Sequence, residues 1–194
     1  MGRPPSEAAE SHAAILDAVY ELLQKSSARD LTMEAVAKRA RVGKPTLYKW
    51  WPTKAALVLA MFHERLATAP VPVKNESVEQ SLRAKVRWLI RELNGLFGKV
   101  MADLIAEGQS EPDVLRELRE RHMNERRAAS FAEIARAKAA GELKAETDAE
   151  LLIDSIFGAL YYRLLLRYPL TEEYGEELID QALRGAKTNA RPRR

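Results

Sequence analysis

The chain of 194 residues is mildly basic, with a net charge of +3 at pH 7, and 46% of its residues are hydrophobic, which is ordinary for a globular protein with a buried core. It contains no cysteine, so a disulfide framework, a thiol nucleophile and a cysteine-based zinc site are excluded. No stretch approaches about eighteen consecutive apolar residues and the N-terminus lacks the apolar segment of a signal peptide, so we expect a cytoplasmic protein without a membrane span.

The N-terminal segment combines a short basic arm with an amphipathic helix. Arg3 has two interpretations: it belongs to a disordered terminus, which is the commoner behaviour of chain ends, or it enters a DNA minor groove as a basic arm. From about Ser6 to Gln24 apolar residues recur with the period of a helix. We expect this helix to pack against the following segment and to hold it rigid.

Residues 31–57 have the pattern of two short helices joined by a tight turn, with a third helix following. Thr32 is a good N-cap for the first helix. The turn is predicted at residues 41–43, where Gly43 supplies the backbone angles that a sharp turn needs. Two helices joined in this way form a helix-turn-helix, which can place its second helix in the major groove of double-stranded DNA.

The second of these helices, predicted from about Lys44 to Trp51, lies in a strongly basic part of the chain. Pro45 suits its first turn, because the missing N–H would be unpaired there. Six basic residues and no acidic one fall between Glu34 and Glu64, and such cations provide the sequence-independent part of DNA affinity. Lys44 is placed where base edges would lie and can donate to guanine. The positions that we expect to be exposed are Lys44, Thr46, Lys49 and Trp50.

Three motifs in this region closely resemble the DNA-binding domain of TetR-family transcriptional regulators: Leu31-Thr32 through Ala37, Val42-Gly43-Lys44-Pro45-Thr46-Leu47-Tyr48, and Trp51-Pro52-Thr53-Lys54-Ala55-Ala56-Leu57. The resemblance covers about the first third of the chain. It implies a sequence-specific DNA-binding regulator, usually a ligand-responsive repressor that binds a pseudo-palindromic operator as a homodimer. It also implies phosphate contacts at Tyr48 and Lys54 and a buried Trp51. The DNA-binding residues predicted in all are Arg3, Thr32, Lys44, Pro45, Thr46, Tyr48, Lys49, Trp50 and Lys54.

A proline-rich break at residues 69–73 follows the third helix of this region, and we place the domain boundary there. The prediction is a DNA-binding domain over residues 1–68 and an effector-binding and dimerisation domain over residues 69–194. Residues 1–65 carry a net charge of +3 and residues 66–183 a net charge of −5. This distribution suits an N-terminal DNA-binding domain, the head, joined to a C-terminal domain that DNA does not attract. The fold class is all-α, with a three-helix N-terminal domain, a helical C-terminal domain and about nine helices in all.

Capping signals divide the second domain into helices. Ser77 with Gln80 and Thr147 with Glu150 have the spacing of capping boxes. One long helix is predicted from about residue 112 to residue 140, where Gly141 ends it. Another, at residues 148–166, is apolar on more than one face, which is typical of a helix buried in a core or in an oligomer interface.

The family resemblance implies that the last two helices pair with those of a second copy, and that Gly158 and Ala159 allow the close approach. The dimer-interface residues predicted on this basis are Leu152, Ile156, Gly158, Ala159, Leu178 and Leu183. The resemblance also implies that an unknown small apolar effector binds between the preceding helices and shifts the spacing of the two heads. The pocket residues predicted are Trp88, Leu89, Leu93, Phe97, Leu104, His122 and Phe131, although a plain filled core is the commoner arrangement for such residues.

Two other classes of function have less support. A helical enzyme or simple ligand-binding protein without sequence-specific DNA binding is disfavoured, because the sequence has no glycine-rich phosphate loop, Ser-x-x-Lys or Gly-x-Ser-x-Gly motif. A membrane-surface protein is disfavoured, because the five cations of residues 184–194 have no apolar anchor beside them. The three histidines are too scattered to predict a metal site, and no cofactor or catalytic residue is predicted.

Overall fold

The computed structural model describes residues 5–65 and 76–187, so Arg3 and the predicted break at residues 69–73 lie outside the described residues. Within those ranges the regular structure is helical, apart from one isolated antiparallel bridge between Leu143 and Lys187. When helices that a π-helical turn joins end to end are counted as one, the described residues form nine helices. The all-α prediction is therefore confirmed.

Helices α1 to α4 form the N-terminal region, and seven further α-helical segments with two π-helical turns follow. The bounds are α1 Pro5–Lys25, α2 Met33–Ala40, α3 Lys44–Trp50, α4 Lys54–Arg65, α5 Val78–Leu93, α6 Leu96–Gly108, α7 Pro112–Leu118, α8 Asn124–Ala139, α9 Ala149–Ile153, α10 Ala159–Leu165 and α11 Glu172–Ala186. One π-helical turn, Arg119–Met123, joins α7 to α8, and a second, Asp154–Gly158, joins α9 to α10.

The described residues form two compact units. The first contains α1 to α4 together with residues 96–124, and the second contains α5 and the segment from residue 125 onward. These units do not coincide with the predicted boundary after residue 68, because α6, α7 and the first π-helical turn group with the N-terminal helices.

The turn between α2 and α3 forms differently from the sequence prediction. Thr32 caps α2 as predicted, since its Oγ1 accepts a hydrogen bond from the Ala35 N–H at 3.1 Å. The left-handed residue, however, is Arg41 with φ = 56°, whereas Gly43 is extended with φ = −74°. The prediction that Gly43 supplies the special turn angles is therefore wrong. A left-handed residue just after a helix lets the next N–H reach back, and here the Val42 N–H donates to the Ala37 carbonyl at 3.0 Å.

The first unit buries one apolar face of each of its N-terminal helices. Val36 of α2, Leu47 of α3 and Leu57 of α4 are fully buried, and Trp51 is buried as the resemblance implied. Polar contacts attach α6 to the loop after α1: the Ala28 N–H donates to the Asp103 carboxylate at 2.9 Å. Burial of this face holds α3 in place, and its other side remains in solvent.

The capping signals of the second unit are half confirmed. Ser77 and Gln80 form the predicted capping box at the start of α5. At α9 the N-cap is Asp148, whose carboxylate accepts from the Leu151 N–H at 3.0 Å, so the capping box predicted for Thr147 with Glu150 is wrong. The residue that caps α9 thus follows the predicted one by a single position. The Thr147 hydroxyl donates instead to the Ala186 carbonyl.

Close packing and ion pairs join α5 to its neighbours in the second unit. Gly175 of α11 lies so near α5 that an added Cβ would be 2.6 Å from Ile90 Cδ1 and 2.9 Å from Val86 Cγ1. Arg83 pairs with Glu79, Glu176 and Asp180. On the other side of α5, Lys85 pairs with Glu133 of α8, and both side chains are largely removed from solvent.

The two π-helical turns interrupt helices that the sequence pattern predicted as continuous. A π-helical turn contains one residue more than an α-helical turn, so it rotates the side chains that follow by about 100° relative to a regular helix. A 3.6-residue repeat that begins in α7 or α9 therefore gives the wrong directions for the side chains of α8 and α10.

Candidate functional site

Helix α3 presents an exposed face of cations and aromatic rings. Leu47 is buried beneath the helix and anchors it, while Tyr48 is 52% exposed and Trp50 is 41% exposed. Lys44, Pro45 and Lys49 are also exposed, and Thr46 is half-buried. The structure thus brings five of the predicted DNA-binding residues onto the solvent side of one short helix, where a nucleic acid can reach them.

Lys44, predicted to contact bases, has an intramolecular partner. Its Nζ donates to the Glu34 carboxylate of α2 at 2.9 Å, and both side chains are exposed. The hydrogen bond and the opposite charge of Lys44 lower the pKa of Glu34, and Glu34 in turn raises the pKa of Lys44. Because the pair is exposed, a phosphate or a base edge can compete with the carboxylate for this ammonium group.

An aromatic cluster supports the end of α3. The ring of His12 on α1 lies 4.8 Å from both Trp50 and Trp51, measured between centroids, and the two indoles are 6.0 Å apart. His12 Nδ1 is also 3.6 Å from a carboxylate oxygen of Glu64 on α4. The exposed Trp50 is therefore held by packing rather than free to rotate, which the sequence did not predict.

Lys54 and Thr32, two further predicted DNA-binding residues, are engaged in the fold. Lys54 Nζ pairs with Glu107 of α6 at 3.0 Å and donates to the Arg29 carbonyl at 3.4 Å, and its side chain is mostly covered. Thr32 is exposed, but its hydroxyl oxygen is occupied as the cap of α2. A phosphate contact at Lys54 requires exchange of its carboxylate partner.

The seven predicted pocket residues divide between the two units. In the first unit, Phe97 lies 5.2 Å from Phe62 and 5.4 Å from His122 between ring centroids, and all three are buried. Leu104 is fully buried on the same helix as Phe97. These contacts are those of a filled aromatic core.

In the second unit, the α5 residues Trp88, Leu89 and Leu93 are buried, and Phe131 of α8 is half-buried beneath Arg127, whose Cζ lies 5.4 Å from the ring centroid. Sequence reasoning missed Arg126, whose Cζ lies 4.9 Å from the Trp88 ring centroid. An arginine in a predominantly exposed helix is normally a solvated side chain, so no sequence signal distinguished it.

Three of the predicted dimer-interface residues need correction. Leu152, Ile156 and Leu183 are at most 5% exposed in a single chain, so their side chains pack mainly in its own core. Gly158 is exposed, and a Cβ added there would meet no neighbouring side chain of the described residues within 4 Å, while Ala159 and Leu178 are half-buried. The large apolar side chains that are exposed in this region, which the sequence prediction omitted, are Leu151, Tyr162, Leu165, Leu166 and Tyr168.

Two shallow cavities lie along α11. One, of about 230 Å³, is lined by Glu79 of α5 and by α11 side chains that include Leu183. The other, of about 470 Å³, is lined by α11 residues that include Tyr174 and Leu178. Neither is lined by a predicted pocket residue, and both border the helix that was predicted to dimerise.

Residues 5–65 and 76–187 contain neither a membrane-spanning helix nor a cluster of metal-ligating side chains. No helix there combines the length and apolar character needed to cross a lipid bilayer. Those same residues include no group of three or more histidine, aspartate or glutamate side chains arranged to hold a metal ion.

Comparison with known proteins gives consistent matches over both regions. Residues 15–61 match the family model of bacterial regulatory proteins of the tetR family, and residues 72–182 match that of the tetracyclin repressor-like C-terminal domain. The chain is 34% identical to the HTH-type transcriptional regulator YdeS of Bacillus subtilis (strain 168), over 97% of this chain and 95% of that protein. It is 27% identical to the DNA-binding transcriptional repressor TetR of Mycobacteroides abscessus, over 88% and 90% respectively. The solved structure of the TetR family transcription regulator SCO0332 is 31% identical and gives a TM-score of 0.74, covering 91% of this chain and 98% of that one.

Proposed function

Because the chain belongs to the TetR family and is a helix-turn-helix transcriptional regulator, we propose that it binds a pseudo-palindromic operator as a homodimer and represses the genes beside it until an effector releases it. The observation that carries this proposal is the exposed cationic and aromatic face of α3. On the opposite side of the helix, the buried Leu47 anchors it to the core. We place its action in the cytoplasm, where the DNA is, and the function requires no catalytic residue.

The proposed recognition helix is α3. Its first residue, Lys44, would exchange the Glu34 carboxylate for a base edge, since lysine can donate to guanine O6 or N7. Tyr48, Lys49 and Trp50 would contact sugar and phosphate groups, which fix the orientation of the helix on the duplex without reading its sequence. Supporting contacts are proposed for Arg3, Thr32, Pro45, Thr46 and Lys54.

The proposed dimer surface is the exposed apolar part of α10 and the face of α11 that borders the shallow cavities. Large exposed apolar side chains such as Tyr162 and Leu165 lose contact with water when a second copy covers them. The exposed Gly158 would permit close approach of two helices. Ala159 and Leu178 are proposed to lie at the edge of this dimer surface. Two heads held in this way would read two half-sites about one helical turn of DNA apart.

A gel shift and footprint test the DNA-binding proposal. The DNA flanking the protein's own gene is titrated at two salt concentrations with an excess of random competitor, and a footprint over a pseudo-palindrome that survives competitor is expected. Lys49→Ala should weaken binding about tenfold and reduce its salt dependence by about one phosphate contact. Tyr48→Phe should weaken binding severalfold. Arg91→Ala, which removes an exposed cation from α5, is the matched control and should change neither. Unchanged affinity in both α3 variants would exclude this recognition helix.

Sedimentation equilibrium tests the dimer surface. Leu165→Glu adds a charge at a position that is exposed in the single chain, so the fold should be retained while the dimer dissociates. Ala132→Glu, at an exposed position of α8, should leave the dimer intact. A Leu165→Glu variant that remains fully dimeric would place the interface elsewhere.

A further inference from the structure

The second unit contains a buried hydrogen-bond donor that lacks an acceptor. Trp88 of α5 is only 5% exposed, and its Nε1 has no hydrogen-bond partner among the residues that the structure describes. An indole N–H can only donate, and an unmade hydrogen bond at a buried donor is costly, so such groups are normally paired in native proteins. The site around Trp88 therefore lacks an acceptor.

Arg126 of α8 adds five donors and a positive charge at the same place. Its guanidinium lies over the Trp88 ring, with Cζ 4.9 Å from the centroid. Its neighbour Arg127 pairs with Glu150 and Asp154, whereas no carboxylate of the described residues forms an ion pair with Arg126. Burial lowers the pKa of Arg126, an effect that Tyr161 in its ionised form and the carboxylates of Glu125 and Glu92 only partly offset. A cation–π contact explains the position of the guanidinium but provides no acceptor.

Tyr161 of α10 is electrostatically coupled to Arg126. Burial raises the pKa of its hydroxyl to about 12, although the charge of Arg126 opposes the effect. The hydroxyl is therefore protonated at neutral pH and able to donate. Half-buried Leu164 follows Tyr161 by three residues on α10, so it lies on the same side of the helix.

Both helices that carry these groups contain a π-helical turn just before them, at Arg119–Met123 for Arg126 and at Asp154–Gly158 for Tyr161. Such turns are frequent at functional sites, because they rotate the following residues out of the regular repeat. Arg126 and Tyr161 therefore lie out of the 3.6-residue repeat of the helical segments that precede them.

We propose that Trp88 and Arg126 bind the carboxylate of a small organic acid with an apolar body, and that this acid is the effector. The proposal rests on the regulatory function proposed above. One guanidinium and one neutral donor match the charge and the oxygen atoms of a carboxylate. Glu92 and Glu125 contribute negative charge nearby, which disfavours a multiply charged phosphate ester. The half-buried Phe131, on the same helix as Arg126, offers apolar surface for the body of the ligand.

Calorimetric titration of the full-length protein tests the inference without DNA. The probes are octanoate, phenylacetate and 2-naphthoate, each paired with its neutral amide, which has nearly the same shape but no charge. At least one acid should bind ten times or more tightly than its amide. Arg126→Gln should weaken binding of that acid about tenfold or more, and Trp88→Phe should weaken it severalfold. Arg136→Gln, which removes an exposed cation from the same helix, should leave its affinity unchanged.

The inference is overturned if no acid binds more tightly than its amide, or if Arg126→Gln and Arg136→Gln have equal effects. Folding of each variant is verified by circular dichroism, and Arg126→Lys, which keeps the charge, should retain part of the affinity. A separate gel shift with the bound acid distinguishes the two proposals. An acid that binds through Arg126 but leaves the operator complex intact would disprove the effector role, whereas failure to bind any operator would disprove the regulatory proposal alone.

Discussion

Glu34 and Lys44 face each other across the turn of the helix-turn-helix, with the carboxylate 2.9 Å from the ammonium nitrogen. The first cation of the proposed recognition helix is therefore neutralised by its own protein when DNA is absent. In the proposed binding mode Lys44 exchanges this carboxylate for DNA, so we expect Glu34 to weaken DNA affinity.

Replacing Glu34 with Gln should strengthen DNA binding. The change removes a negative charge beside the phosphates and frees Lys44, so we expect affinity for random DNA to rise about twofold to fivefold and to depend more steeply on salt. Fluorescence anisotropy with a random duplex measures both quantities. Glu120→Gln, an equal change of charge at an exposed residue of the first π-helical turn, is the control. Equal affinities for Glu34→Gln and the unmodified protein would show that this pair does not compete with DNA.

The residue that needs left-handed backbone angles in this turn is Arg41 and not Gly43, so stability should respond to a glycine at position 41 and not to the loss of the glycine at position 43. Arg41→Gly should stabilise the protein by about 0.5–1 kcal/mol, because glycine adopts left-handed backbone angles without the steric strain of a Cβ atom. Gly43→Ala should change stability by less than about 0.5 kcal/mol, since its φ is ordinary and the added Cβ would lie 3.5 Å from Pro45 Cδ. Thermal unfolding followed by circular dichroism compares the two. A large loss with Gly43→Ala would contradict the observed turn.

The Lys85–Glu133 pair should be much more sensitive to loss of one partner than to loss of both. Lys85→Met leaves the buried Glu133 carboxylate unpaired, so we expect a loss of about 3 kcal/mol in the free energy of unfolding. The double variant Lys85→Met with Glu133→Leu should recover most of that loss, because no buried charge remains. Urea denaturation of the four proteins gives the coupling energy. Additive effects of the two single changes would indicate that the pair is not coupled in solution.

Glu79 should make the second unit sensitive to acid. Hydrogen bonds from Lys187 and then Arg83 lower the pKa of Glu79 from its ordinary value of 4.5. A lowered folded-state pKa stabilises the fold above the unfolded-state value, and this stability is lost as pH falls through the folded-state value. The unfolding temperature should therefore fall more steeply below about pH 4.5 in the unmodified protein than in Glu79→Gln. Parallel curves for the two proteins would contradict this assignment.

Local sequence signals predicted the DNA-binding head well because each has a short-range physical cause. The Thr32 cap depends only on the next three residues, and Leu47 is buried because it is the large apolar side chain of a basic helix. The same reasoning failed at the turn, where Gly43 is permissive but Arg41 has the left-handed angles. Left-handed backbone angles cost little free energy at a glycine. The residue that adopts them, however, is the one that follows the last residue of the helix.

The second unit was less predictable because its features depend on contacts between distant segments. Leu152 and Leu183 are equally apolar in a core and in an interface, so sequence alone could not assign them to the chain's own core. Arg126 acquires its proposed role only from the placement of Trp88 on another helix. The first unit has one case of the same kind, since Lys54 resembles a phosphate-binding residue, yet its partner Glu107 lies on a helix fifty-three positions away.

The π-helical turns also change how length differences among relatives should be interpreted. Each turn holds one residue more than a regular helix needs, so deleting a residue such as Glu120 would let α7 and α8 merge into one unbroken helix. A one-residue gap at that position of an alignment would ordinarily suggest a misplaced loop. Here it would mark a relative in which one unbroken helix replaces the π-helical turn, and in which the side chains after the turn are rotated by about 100° relative to those before it.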